Sequence, residues 1–291
     1  MKQKHQRPKT SPNILQSRRS FISAAALSTG GLLLSGCDRI AENENVTSVL
    51  ASAEGLSRRV QRALLGDRQA PEFPESMISA DFRANGSTDP QDKSYLDLVK
   101  SRFAGWRLSV DGLVDRPAKF SLAQLRAMTP RTQITRHDCV EGWSCIGKWK
   151  GAPLGAILEN VGVKTDAQYV IFHCADTMDE GEIEQSDDKP ETKDTIAPKA
   201  DGSGKPTANQ YYESIDLADA RHPQTILAYD MNDKPLTVPH GAPLRVRIER
   251  QLGYKMAKYI LRIELVSSLA GLGQGKGGYW EDRGYEWYAG I

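Results

Sequence analysis

The chain has little cysteine and little aromatic character. It carries four Cys among 291 residues, and Phe, Trp and Tyr together make up 7%. It shows no Cys-x-x-Cys-His motif, so it offers no covalent attachment point for a c-type haem. Charge of one sign is also missing, the formal net charge being +1. Residues 1–36 hold six Lys/Arg and no acid, which leaves 32 of the 38 basic residues against all 37 acidic ones in the rest. A mildly acidic body gives no electrostatic reason to bind nucleic acid. No internal repeat and no regular βαβ rhythm appear, which argues against solenoids and doubly wound folds.

The one stretch that approaches a long hydrophobic run, Ala24 to Gly36, is rich in Ala, Ser and Gly. It falls short of the roughly 20 apolar residues that a spanning helix needs. A basic flank and the pair Arg18-Arg19 precede it, and Leu34-Ser35-Gly36-Cys37 ends it. This is the pattern of a twin-arginine signal peptide with a lipobox over residues 1–37. Acylation of Cys37 would anchor the chain to a membrane. Asp38 favours the inner membrane, so a periplasmic, lipid-anchored protein is expected. The twin-arginine route exports folded chains, which raises the expectation of a cofactor inserted before export.

Residues 38–75 read as a tether. Val46, Val49, Leu50, Ala53, Leu56, Val60 and Leu64 share helical spacing, which predicts a short amphipathic helix. Residues 76–291 read as one α+β domain of mostly antiparallel or mixed sheet with short helices. Strands are predicted at Trp106 to Gly112, Thr132 to Arg136, Tyr169 to His173 and Thr225 to Tyr229, the last running into a hairpin turn at Met231-Asn232-Asp233-Lys234-Pro235. Leu244, Val246 and Ile248, and then Tyr259, Leu261, Ile263 and Leu265, alternate like further strands. Ser121 and Gln124 frame a capping box. Pro153 and Gly162 bracket a helix. Residues 182–209 are polar, charged and broken by Pro and Gly, and read as a surface insertion.

Three cysteines remain besides Cys37, and two clusters concentrate ligand-type residues: His137-Asp138-Cys139-Val140-Glu141-Gly142-Trp143-Ser144-Cys145, and His173-Cys174-Ala175-Asp176. By spacing alone three readings stand. Cys145 and Cys174 form a disulfide beside a lone ligand Cys139; the Cys and His residues bind zinc; or all three thiols are buried and inert.

The segment Ile134 to Ser144, followed by Trp149 to Leu154, resembles the cofactor-ligand segment of the sulfite oxidase-like molybdopterin-binding oxidoreductases. It is most similar to the bacterial branch that includes periplasmic methionine-sulfoxide reductase catalytic subunits. His240-Gly241-Ala242-Pro243-Leu244-Arg245 and Leu252 to Lys258 resemble that family's second pterin-binding stretch. The resemblance runs from about Ile78 to Val266. It implies the sulfite oxidase-type fold, Mo-molybdopterin as cofactor, and Cys139 as the metal ligand. It also implies cofactor contacts from Phe82, Arg83, Ala84, Asn85, Cys174, His240, Arg245, Met256, Ala257 and Lys258, with Arg245 and Lys258 holding the phosphate. A thiolate suits a soft metal site, and Arg pairs strongly with phosphate. Glu141 is a candidate proton relay.

The implied reaction is two-electron oxygen-atom transfer. In sulfite oxidases an arginine-bearing segment follows the ligand Cys, whereas here Val140-Glu141-Gly142-Trp143-Ser144 stands in its place. An acidic, aromatic approach predicts a neutral sulfoxide or N-oxide as the small-molecule substrate, ahead of sulfite. A separate electron-transfer partner, such as a membrane cytochrome, is then required. A sulfite-type dehydrogenase and a non-catalytic zinc- or disulfide-stabilised lipoprotein are the alternatives.

Overall fold

The computed structural model describes residues 68–178 and 209–291, together with 55, 56, 59–63 and 66. The expected signal sequence with Cys37, most of the tether helix, and the insertion up to residue 208 lie outside the described residues. Residues 61–291 form one compact unit. Part of the stretch read as a tether runs along this unit. The Ala70 N–H donates to the Gln224 side chain at 2.7 Å, and the Phe73 N–H to the Ile134 carbonyl at 2.9 Å. Among the described residues no helix is long and apolar enough to cross a membrane.

The first sheet holds β1 (Arg107–Gly112), β2 (Ala118–Ser121), β5 (Tyr169–Thr177), β6 (Gln210–Asp216) and β10 (Ile260–Val266), in the order β2-β1-β10-β5-β6. β1 and β10 run parallel and the other pairs are antiparallel. The second sheet holds β3 (Arg131–Asp138), β4 (Ser144–Pro153), β7 (Ile226–Met231) and β8 (Lys234–Pro235), and β9 (Arg245–Arg247) pairs with β7. Short helices accompany them, including α1 (Lys93–Lys100), α2 (Leu122–Ala127), α3 (Leu154–Val161) and α4 (Leu217–Ala220). The architecture is α+β with a mixed sheet, as the sequence predicts.

Local chemistry explains most boundaries. Ser121 and Gln124 close a reciprocal capping box at the start of α2. α3 buries Leu154, Ile157, Leu158 and Val161 on one face and ends at Gly162. Asn232 and Asp233, with φ of 51° and 62°, make the two-residue turn that joins β7 to β8. β5 is buried almost throughout because β6 and β10 flank it. Burying each such Val, Ile or Phe contributes about 1.5–3 kcal/mol.

The alternation from Leu244 to Glu249 predicts a strand. β9 forms there, three residues long, and both its guanidinium-bearing residues are buried, Arg245 and Arg247 being 1% and 0% exposed. The polar face looks inward, toward a smaller core of Phe82, Trp149, Ile226, Ala228, Leu236 and Ala242.

Candidate active site

β3 and β4 pair out to Asp138 and Ser144, which leaves residues 139–143 as a hairpin loop. Cys139 opens this loop. Its N–H bonds the Trp143 carbonyl at 2.9 Å, and its carbonyl accepts from Gly142 N–H at 3.0 Å. Gly142 has a φ of 83°, which side-chain-bearing residues seldom adopt. The thiol of Cys139 is therefore presented at the tip of a rigid two-stranded support.

The tip borders a cleft with an empty volume of about 550 Å³, part of it open to solvent. Asn85, Ser87, Cys139, Glu141, Asp176, Tyr211, Met256, Lys258 and Trp280 all line it. Distant stretches of sequence thus converge on Cys139. Burial pushes the Cys139 thiol above its ordinary value, against backbone N–H groups of Glu141 and Val140 that pull it down. A metal cation bound at sulfur overrides this, because a coordinating thiol gives up its proton.

Behind the tip, β9 supplies two buried guanidinium groups. Arg247 forms two hydrogen bonds to Glu249, at 2.9 and 2.7 Å, and a third at 2.9 Å to Nδ1 of His137. Arginine only donates, so His137 Nδ1 accepts and Nε2 carries the hydrogen. Burial, then Arg247, Arg245 and Lys258, hold His137 well below its ordinary value, which keeps it neutral. Its ring packs between Phe82 and Trp143, at centroid distances of 5.8 and 5.7 Å. Arg245 donates from Nη1 to the His240 carbonyl at 3.2 Å, while its Nε and Nη2 are buried without a hydrogen-bond partner.

The other expected contacts separate into three groups. Asn85, Met256 and Lys258 line the cleft. Lys258 Nζ donates to the carbonyls of Asn85 and Ser87, which ties the upstream loop to the segment before β10. Phe82, Arg83, Ala84, Ala257 and His240 surround that framework without lining the cleft. Phe82 packs edge-on to Trp149 at 5.1 Å, and its carbonyl accepts from His240 Nε2 at 2.8 Å. His240 Nδ1 takes the Thr237 hydroxyl hydrogen at 2.8 Å, so both ring nitrogens are used within the protein. Ala257 is buried and its carbonyl accepts from Val246 N–H. Arg83 lies exposed at the rim, 3.7 Å from Glu141 and over the Trp143 ring. Cys174 forms the third group. It is fully buried in the main core, and desolvation pushes its thiol well above the ordinary value.

Among the described residues Cys139, Cys145 and Cys174 are free thiols, so Cys145 and Cys174 are not joined. No three His, Cys, Asp or Glu side chains among the described residues gather in a way that could hold a metal ion such as zinc. The sequence reading missed Asp176, Tyr211 and Trp280 as cleft residues. Asp176 was visible in a ligand-rich cluster, but the strand pattern stops being legible at His173.

Molybdopterin fits these residues. Its phosphate needs a desolvated cation, and Arg245 offers two buried, unpartnered nitrogens. Its pterin carries amide-like edges, and His137 Nε2, against the cleft residue Gly253, is a buried polar atom without a partner. Cys139 supplies the soft donor.

The comparisons with known proteins agree. The family model described as the oxidoreductase molybdopterin binding domain matches residues 96–270. A protein of Azospira oryzae, provisionally named a protein-methionine-sulfoxide reductase subunit, YedZ1, is 36% identical over 278 residues, covering 95% of this chain and 88% of that protein. The protein-methionine-sulfoxide reductase catalytic subunit MsrP of Ralstonia nicotianae is 29% identical over 258 residues, covering 88% of this chain and 71% of that protein. The sulfane dehydrogenase SoxCD of Paracoccus pantotrophus shares 18% identity at a TM-score of 0.42, over 56% of this chain and 38% of that one. The family match spans more than half of the chain, and the Azospira relative follows nearly all of it, so this protein belongs to the oxidoreductases built on a molybdopterin-binding domain.

Proposed function

We propose that this protein is the catalytic subunit of an exported reductase that removes oxygen from a neutral sulfoxide. The relatives named as methionine-sulfoxide reductase subunits support this reading. The observation that carries it is the chemistry of the approach to Cys139. Val140, 45% exposed, stands beside Glu141 and Trp143 on the loop. The nearby guanidinium groups are engaged, Arg83 with Glu141 and Arg136 with Asp138. A sulfite dianion meets a carboxylate and an indole there, whereas a dialkyl sulfoxide finds an apolar rim.

Bound molybdenum supplies the two-electron couple and the position where oxygen is exchanged. The protein supplies orientation and electrostatics. Arg245 and Lys258 hold the anionic end of the cofactor, and the β3–β4 loop fixes its sulfur ligand. Glu141 is held by a 2.8 Å hydrogen bond from Trp143 Nε1 at the cleft mouth, where a carboxylate relays protons to and from solvent. In the balanced reaction one sulfoxide takes up two electrons and two protons and yields one thioether and one water.

The twin-arginine pattern and Cys37 support export to the periplasm and lipid anchoring at the inner membrane. The relatives are named as subunits, which supports a separate electron donor such as a membrane cytochrome. The test is a substrate panel on the molybdenum-loaded protein, with reduced viologen for oxides and an oxidised dye for sulfite. Oxide reduction ahead of sulfite oxidation is expected. Sulfite turnover with no oxide reduction contradicts the reading.

A further inference from the structure

Two acids line the cleft, and their surroundings differ. Glu141 sits at the mouth with its side chain 52% exposed. Asp176 sits on the floor, 3% exposed, with Oδ1 buried and without a hydrogen-bond partner among the described residues. It stands near the end of β5, within the break in the β5–β6 register between His173 and Thr177. That break lets the chain turn a carboxyl toward the cleft where a regular strand would continue its pairing.

The titratable groups whose charge Asp176 feels or affects come from several elements. Lys258 and Tyr259 approach from the segment before β10, Tyr211 from β6, Tyr95 from α1 and Cys174 from β5 itself. Lys258 is the only cation among these five. The three tyrosines and the cysteine are neutral groups, each pushed above its ordinary value by burial. Desolvation outweighs the pull of Lys258 and of a backbone N–H, and pushes the Asp176 carboxyl up to about 7. A carboxylic acid in this environment is a hydrogen-bond donor near neutral pH, which an exposed carboxylate is not.

We propose that Asp176 is the proton donor of the cleft floor, giving one of the two protons that convert the oxide oxygen to water. The inference rests on the sulfoxide-reduction reading. The S–O bond breaks and sulfur gains two electrons, supplied by two equivalents of the external one-electron donor. Two O–H bonds form at the departing oxygen, one with the Asp176 proton and one with a proton from solvent. The Asp176 carboxylate then recovers its proton from solvent.

The experiment uses molybdenum-loaded wild type, Asp176→Asn and Asp176→Glu, with a dialkyl sulfoxide and reduced viologen from pH 5 to 9. Metal content is matched between samples. In wild type, kcat/KM is expected to fall about tenfold per pH unit above about 7, as the acid is lost. Asp176→Asn is expected to fall about 10²–10⁴-fold at pH 6 and to lose that limb, while Asp176→Glu keeps a displaced limb. Infrared spectroscopy of the resting protein supplies a readout independent of turnover. Wild type should show a protonated-carboxyl band that fades as pH rises through 7 and that Asp176→Glu shifts. Wild-type turnover with an unaltered rate and profile in Asp176→Asn overturns the proposal alone, as does an active wild type without the infrared band. A loaded wild type that reduces no sulfoxide overturns the reading beneath it.

Discussion

Arg245 and Arg247 both lay a guanidinium over the indole of Trp149, at 5.0 and 4.4 Å, but only Arg247 has a carboxylate. Burial, then the neighbouring charge of Arg247, lowers Arg245 to about 9. Its folded value lies below its unfolded one, so the charged form costs stability at neutral pH in the cofactor-free protein. An anion placed against its two unpartnered nitrogens reverses that cost.

Arg245→Met should therefore act in opposite directions on two readouts. The cofactor-free protein is expected to melt a few degrees higher, at about 2–4 °C per kcal/mol for a domain of this size. Retention of molybdenum and pterin through gel filtration is expected to fall. A lower melting temperature with unchanged retention contradicts the assignment of Arg245 to the phosphate.

Lys255 is fully buried between Glu213 and Glu281. Lys255→Met leaves two carboxyl groups in the interior with no cation. Urea denaturation should show a loss of about 3–5 kcal/mol. Replacing Glu213 and Glu281 by apolar residues as well should recover part of it, because no uncompensated charge then remains.

Gly253 borders the cleft, and a Cβ there would stand 2.5 Å from Cε1 and Nε2 of His137. Gly253→Ala should destabilise by about 1–3 kcal/mol and displace His137. Gly271 has nothing within 4 Å of its would-be Cβ, so Gly271→Ala should stay within about 0.5 kcal/mol. Equal effects in the two variants would contradict the packing described at the cleft.

The raised value of Asp176 also sets a stability profile. Its folded value lies above its unfolded one, so its contribution is full below the ordinary carboxyl range and is lost as pH rises to about 7. Thermal scans of cofactor-free wild type should lose stability relative to Asp176→Asn between about pH 4 and 7 and run level above that. A difference that does not change with pH contradicts the burial argument.

The sequence carried the local signals well. The capping box at Ser121, the Pro153–Gly162 bracket and the Asn232-Asp233 turn each depend on neighbours a few residues apart. The site was legible where residue type and order suffice, as at Cys139, Asn85, Met256 and Lys258. What failed was depth. The alternation around Arg245 and Arg247 reads as a strand, and nothing local shows that both guanidinium groups are buried or that His137 lies against Arg247. Asp176 was missed as a cleft residue for the same reason. A register break within β5 turns it toward the cleft, and pairing with β6 is a long-range property.

The central claim is that Cys139 holds molybdenum for oxide reduction. The most direct test is metal analysis of wild type and Cys139→Ser, each exported from a cofactor-competent bacterial host, with dye-linked sulfoxide reduction measured on the same samples. The account predicts near-stoichiometric molybdenum and turnover in wild type, with the metal lost or spectroscopically altered and turnover abolished in Cys139→Ser. Zinc or no metal in wild type, or full molybdenum-dependent activity in Cys139→Ser, would contradict it.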